Sequence, residues 1–197
     1  MLRNYAPLES VLLATGVGYA QPTQTLAQHV ELEDPATNVM TDFRSATAVV
    51  ILPGDTVNEA HRRMIRRGVR LLLVVDQDRQ VVGLITATDV LGEKAVQVIT
   101  QRGISRHELL VRDIMTPQQQ LEAVKLDDVR AAKVGHIVAT LRRAGRQHTL
   151  VVEQGDGGRQ VVRGLFSATQ IARQLGVAIH TDVIARTFSE IEAQLVR

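Results

Sequence analysis

Apolar and polar positions follow two rhythms along this chain, and the same succession of rhythms occurs twice. Ala48 to Leu52 is a short run rich in β-branched residues, and Pro53-Gly54-Asp55 turns it into Val57, Ala60, Met64 and Ile65 at helical spacing. Thr56 and Glu59 stand as a capping box and Gly68 as a left-handed stop, which predicts a helix of about three turns. Leu71 to Val75 is apolar without a break, the pattern of a strand buried on both faces. Asp76-Gln77-Asp78 then turns the chain into a second strand, Val81 to Ile85, and helix is expected from Asp89 to about Gln101.

The second copy drifts but keeps the order. Leu121 to Leu126 reads as strand, Val134, Ile137, Val138 and Leu141 share one helix face, and Gly145 ends it. Leu150 to Val152 and Val161 to Phe166 read as strands around a longer glycine-rich loop, and Ile171 to Leu175 opens a helix. The heptapeptide Gly83-Leu84-Ile85-Thr86-Ala87-Thr88-Asp89 returns as Gly164-Leu165-Phe166-Ser167-Ala168-Thr169-Gln170, and Val39-Met40-Thr41 returns as Ile114-Met115-Thr116. The expected organisation is an arm (1–38), a first module (39–102), a linker (103–110), a second module (111–176) and a terminal amphipathic helix (177–197). Ile184, Phe188, Ile191 and Leu195 form the stripe of that last helix, fitting either its own module or a dimer contact.

Composition narrows the class. With 197 residues and 45% hydrophobic content, two modules of about 65 residues are each marginal alone, so they are expected to pack together. The chain has no cysteine, which excludes disulfides and thiol chemistry. Val11 to Ala20 is too short and too weakly flanked by basic charge to read as a signal peptide, and no run of 18 apolar residues occurs. A cytoplasmic protein without a membrane segment is the expectation. Net charge is +2, with a pI near 9.4. That charge, three Phe, two Tyr and no Trp argue against a nucleic-acid partner.

Three segments together resemble the CBS (cystathionine-β-synthase-type) domain, which occurs as pairs called Bateman modules: Val111-Arg112-Asp113-Ile114-Met115-Thr116-Pro117, Leu72-Leu73-Val74-Val75-Asp76, and Gly83 to Asp89. The resemblance spans 39–176. It implies an α/β (α+β) fold of two β-α-β-β-α modules packed sheet to sheet about a pseudo-two-fold axis, with two clefts between them. It further implies a regulatory module with no catalytic residue and no required cofactor, which binds an adenosine-containing ligand (AMP, ADP, ATP or S-adenosylmethionine). A homodimer and an unidentified regulated protein are the implied partners.

For the first cleft the resemblance places Thr86 and Asp89 at the ribose. Ala123, Val124, Arg146, Gln147 and His148, with Arg70, would form the opposite wall for adenine and phosphate. The second cleft would join Ser167 and Gln170 to Ala48, Val49, Val69 and Arg70, so that Arg70 is a candidate for either cleft. The chemistry agrees: a vicinal diol offers two donors, and a carboxylate accepts both through charge-assisted bonds of about 1.5–3 kcal/mol each. Gln170 lacks that charge, so its cleft is expected to bind about 10- to 100-fold more weakly. Thr-x-x-Asp is also an ordinary helix cap, a role that coexists with ligand binding.

Other features carry less. Arg62, Arg63, Arg66 and Arg67 form a cationic helix face that Glu59 partly neutralises, a solvated stripe or a capture surface for phosphate or for an acidic or nucleic-acid partner. Gly155-Asp156-Gly157-Gly158 links two strands and lacks the Gly-Lys-Ser/Thr of a phosphate loop. The six histidines show no i,i+4 pair, so no metal site is expected. The alternative to a sensor is a dimeric interaction scaffold whose clefts are vestigial.

Overall fold

A computed structural model of the protein describes residues 27–177, apart from the side chain of Asp156. The Val11 to Ala20 stretch and the stripe of Ile184, Phe188, Ile191 and Leu195 lie outside the described residues. In chain order the elements are β1 (Thr41–Asp42), β2 (Val50–Ile51), α1 (Val57–Arg67), β3 (Leu71–Val75), β4 (Val81–Thr86), α2 (Ala87–Leu91) and α3 (Glu93–Arg102). They continue with α4 (Val111–Ile114), β5 (Thr116–Pro117), β6 (Ala123–Lys125), α5 (Leu126–Ala131), α6 (Val134–Ala144), β7 (His148–Gln154), β8 (Gln160–Ser167) and α7 (Ala168–Gln174). The β-α-β-β-α order expected from the repeat is present twice. No helix among the described residues is long and apolar enough to cross a membrane.

Local chemistry explains most boundaries. Thr56 Oγ1 accepts from the Glu59 amide at 3.2 Å and starts α1, and Gly68, at φ 62°, ends it in the left-handed region. Only that half of the expected capping box forms. The Glu59 carboxylate instead takes bonds from Arg62, Arg63 and Arg66. The single helix expected from Asp89 to Gln101 is two, α2 and α3, broken at Gly92, whose backbone is extended and where a Cβ would stand 2.4 Å from the Thr88 carbonyl. The strand expected over 121–126 shortens to β6, because Gln118–Gln120 forms a 3-10 turn before it and Leu126 already starts α5. That helix was not anticipated, although Leu126 and Val129 bury one short face of it.

Two four-stranded sheets result, β2-β3-β4-β5 and β1-β8-β7-β6. Each is completed by a strand from outside its own repeat. The lead-in to the first copy, β1, pairs antiparallel with β8 (Thr41 opposite Leu165, Asp42 opposite Gly164). The lead-in to the second copy, β5, pairs with β4 (Thr116 opposite Leu84, Pro117 opposite Gly83). The cores follow the exchange: Val30, Ala36, Val39 and Met40 pack with Ile137, Phe166 and Ile171, while Leu109, Val111 and Ile114 pack with Ile51, Leu72 and Ile85.

Between the sheets lies a third apolar cluster of Leu71, Leu73, Val75 and Leu150, flanked by Leu84, Leu121 and Leu165. Strand alternation accounts for it. Leu72 and Val74 face the helices, and Leu71, Leu73 and Val75 face the other sheet, so β3 is buried on both sides.

The first residue of each repeated heptapeptide makes the exchange possible. A Cβ on Gly83 would lie 2.6 Å from the Thr116 carbonyl oxygen, and one on Gly164 would lie 2.4 Å from that of Thr41. An ion cluster adds a second fastening on one side. Arg163 grips Asp42 through Nε at 2.8 Å and Nη2 at 2.5 Å, and its Nη1 donates to Glu153 at 3.1 Å. Arg44 reaches the same glutamate at 2.9 Å.

Two outcomes are expected. Gly83→Ala and Gly164→Ala each lose roughly 1–3 kcal/mol by overpacking against backbone, whereas Gly54→Ala, with nothing within 4 Å, stays near neutral in the same denaturant titration. The Arg163 guanidinium holds the Asp42 carboxyl below its usual 3.8. Its folded value is thus below its unfolded one, so its contribution is complete above about pH 4 and is lost as pH falls through the folded value. Asp42→Asn should cost about 1–3 kcal/mol at neutral pH and flatten the acid limb of a stability-against-pH curve.

Candidate functional site

The packing of the two sheets leaves a cavity on either side of the apolar cluster. At the end of β4, Thr86 closes a complete capping box with Asp89. Asp89 Oδ2 accepts from the Thr86 amide at 2.8 Å and from Thr86 Oγ1 at 2.7 Å, and Thr86 Oγ1 accepts from the Asp89 amide at 3.3 Å. The break at Gly92 brings Lys94 back over this box, with Nζ 3.8 Å from Asp89 Oδ1. One carboxylate oxygen is therefore committed to the backbone turn, and Oδ1 is the one left to receive a ligand hydroxyl. The α2 helix beneath has only five residues, too few to add much of a dipole.

Thr86 and Asp89 line a cavity of about 400 Å3. Arg146, Gln147 and His148 face them across it, together with Leu121 and Glu122. Ala123 and Val124 do not line it. Val124 packs against the core of the second module, and the two residues before β6 take the wall instead. The register explains the shift: Ala123 pairs with Leu150 as Val50 pairs with Leu73, so the counterparts of Ala48 and Val49 are Leu121 and Glu122. Glu122 holds Arg146 at 2.9 Å. Neither Glu122 nor Thr116, which lines the cavity from the exchanged strand β5, was named for the site from the sequence, although Thr116 belongs to the repeated lead-in segment.

The second cavity, of about 220 Å3, gathers Ser167, Gln170, Ala48, Val49 and Val69. Arg70, a candidate for either cleft, lines this cavity and not the first, because it precedes β3 on the side of Gln170. The Gln170 amide makes no capping box. Its Nε2 donates to the Val39 carbonyl at 3.3 Å and its Oε1 accepts from Thr41 Oγ1 at 3.3 Å, so it fastens the lead-in strand. Arg173, three residues on, also lines the cavity. Spacing along one helix face was the signal that would have found it. Its counterpart in the first copy is Gly92, where the helix breaks.

His148 lines both cavities. Its partner across the strands is Ser167, as Thr86 is that of Leu71, so an imidazole occupies the place that leucine fills in the first module. Enclosure between the sheets, and then the charge of Arg70, lower its pKa from 6.5 to about 4. The ring is neutral at pH 7. Because the folded value is the lower one, stability is full above about pH 6.5 and declines as pH falls toward 4, while the unfolded chain takes up the proton. His148→Leu should remove a decline on the order of 1–3 kcal/mol over that window, read by unfolding wild type and variant at several pH values.

The CBS domain family model matches residues 36–96. No curated protein matches the chain by sequence. Among solved structures, a conserved protein from Pyrococcus horikoshii is 21% identical and superposes with a TM-score of 0.54, over 78% of this chain and 100% of that one. A CBS domain pair solved in complex with 5-methylthioadenosine and S-adenosyl-L-methionine is 18% identical, with a TM-score of 0.50 over 72% and 94%. A CBS-domain protein from Agrobacterium tumefaciens is 17% identical, with a TM-score of 0.50 over 66% and 86%. At these identities the likeness is one of fold. The CBS domain model is seated on the first module, the same order of elements is repeated in the second, and the fold is that of a CBS-domain pair.

Proposed function

We propose that the protein is a non-catalytic regulatory module that binds an adenosine-containing ligand (AMP, ADP, ATP or S-adenosylmethionine) in the cleft of Asp89. The observation that carries this reading is the cavity of about 400 Å3 with Thr86 and Asp89 on one wall and Arg146, Gln147 and His148 on the other. Its size falls within the roughly 300–1,000 Å3 usual for small-molecule sites. Leu84, Leu121 and Leu150 give it apolar surface for a base, and Asp89 Oδ1 gives an acceptor for a ribose hydroxyl. The solved pair bound to 5-methylthioadenosine and S-adenosyl-L-methionine supports the ligand class. A ligand with different affinity for two arrangements of the modules shifts the balance between them, which a partner protein or a second copy reads.

A dimeric scaffold is the second reading, favoured by Ile65 and Leu91, which are 67% and 61% exposed on the packed pair α1 and α2. Thermal unfolding separates the two. A bound adenosine compound at 100 times its dissociation constant adds about 2.7 kcal/mol to wild type, and Asp89→Ala, compared by its shift rather than its starting stability, should lose most of that response. Equal responses, or none with any adenosine compound, overturn the sensor reading. The scaffold instead predicts self-association at micromolar concentration by light scattering, with no ligand response.

A further inference from the structure

The charges around the Asp89 cleft are already matched to one another. Among the described residues that line it, Arg146 is the one fixed cation, and Glu122 holds its guanidinium at 2.9 Å. Lys94 stands 3.8 Å from Asp89 Oδ1 and donates to the Met115 carbonyl at 3.3 Å, so it too is committed. His148 is neutral at pH 7. The lining therefore sets two carboxylates, Asp89 and Glu122, against one guanidinium, and its other polar groups are uncharged.

The second carboxylate is not part of the repeated plan. In the register of the two sheets Val49 stands where Glu122 does, and the Gln170 cleft has arginines on its lining and no carboxylate. A 5′ phosphate brings about −1.5 to −2 charges at pH 7. The Glu122–Arg146 pair is partly exposed and therefore weak in itself, so a phosphate could part it. Parting it, however, leaves the Glu122 carboxylate facing the phosphate in the same recess. A rounded cavity of about 400 Å3 is about as wide as the Debye length of roughly 8–10 Å, so a 5′ substituent feels both carboxylates wherever it lies. Uncharged and cationic substituents meet no such repulsion, and cationic ones are attracted.

We infer that Glu122 sets the charge selectivity of the Asp89 cleft, making it a site for adenosine with an uncharged or cationic 5′ substituent and turning away the 5′ phosphates of AMP, ADP and ATP. This rests on the adenosine reading of the cleft and narrows it. Specificity here comes from a repulsive element on the wall as much as from the acceptor at Asp89.

Calorimetric titration of the full chain with adenosine, S-adenosylmethionine and AMP tests the inference. Wild type should bind the first two about tenfold or more tightly than AMP. Glu122→Gln should close most of that gap, because Arg146 is then free for the phosphate, whereas Glu122→Asp, which keeps the charge, should preserve most of it. Arg146→Gln should widen the gap, since both carboxylates then act without a cation on the lining. The quantity read is the ratio of dissociation constants within each variant, which a general loosening of the wall does not move. Raising salt from about 50 to about 300 mM should narrow the gap in wild type through screening. AMP binding wild type as tightly as adenosine, or a ratio that Glu122→Gln leaves unchanged, overturns the inference alone when adenosine binding still depends on Asp89. No binding of any of the three compounds overturns the adenosine reading and this inference with it.

Discussion

The exchange of lead-in strands is the constraint on which the rest of the molecule depends. Two residues, Thr41 and Asp42, finish the sheet of the second module, and two others, Thr116 and Pro117, finish that of the first. Both contacts require a glycine on the receiving strand, and these glycines open the heptapeptide by which the repeat is recognised. The exchange also builds the cavities, since Thr116 lines one and Thr41 the other. A cleft is therefore complete only when both halves of the chain have found each other. Chains of about 65 residues that bury little surface alone gain most from such mutual completion.

Within that symmetric frame the chemistry has diverged at corresponding positions. Asp89 turns its carboxylate on its own helix cap, while Gln170 turns its amide on the neighbouring strand. Leu71 is matched by His148, Val49 by Glu122, and the helix-breaking Gly92 by Arg173. None of these replacements disturbs the register of the sheets, whose pairing is the same in both copies. The backbone supplies two similar recesses, and side chains at their rims give them different electrostatic character, mixed in one and cationic in the other.

Features governed by residues close in sequence were legible beforehand. The cap at Thr56, the stops at Gly68 and Gly145, and the doubly buried strand Leu71–Val75 follow from neighbours within a few positions. The break at Gly92 was missed because a single glycine inside a helical pattern is tolerated on average, and here its close approach to Thr88 decides the matter. The wall of the Asp89 cleft was set two residues too far along, since the 3-10 turn at Gln118–Gln120 delays β6 and leaves no mark in the hydrophobic pattern. The sequence leaves Arg70 open between the two clefts, a question of tertiary placement that local periodicity does not address. Strand exchange belongs to the same class: Val39-Met40-Thr41 was visible as a repeat, but nothing local says which sheet it joins.

The interlacing has a consequence for how the two modules are tethered. Their connection is made twice, once by the peptide between α3 and α4 and again by β1, which threads from the N-terminal side of the first module into the sheet of the second. Load applied at the N-terminal side of residue 41 reaches the distal module first, through Asp42 and Arg163, and passes around the nearer one. The two halves are thus buckled rather than strung, and neither can be drawn away without unfastening a strand of the other.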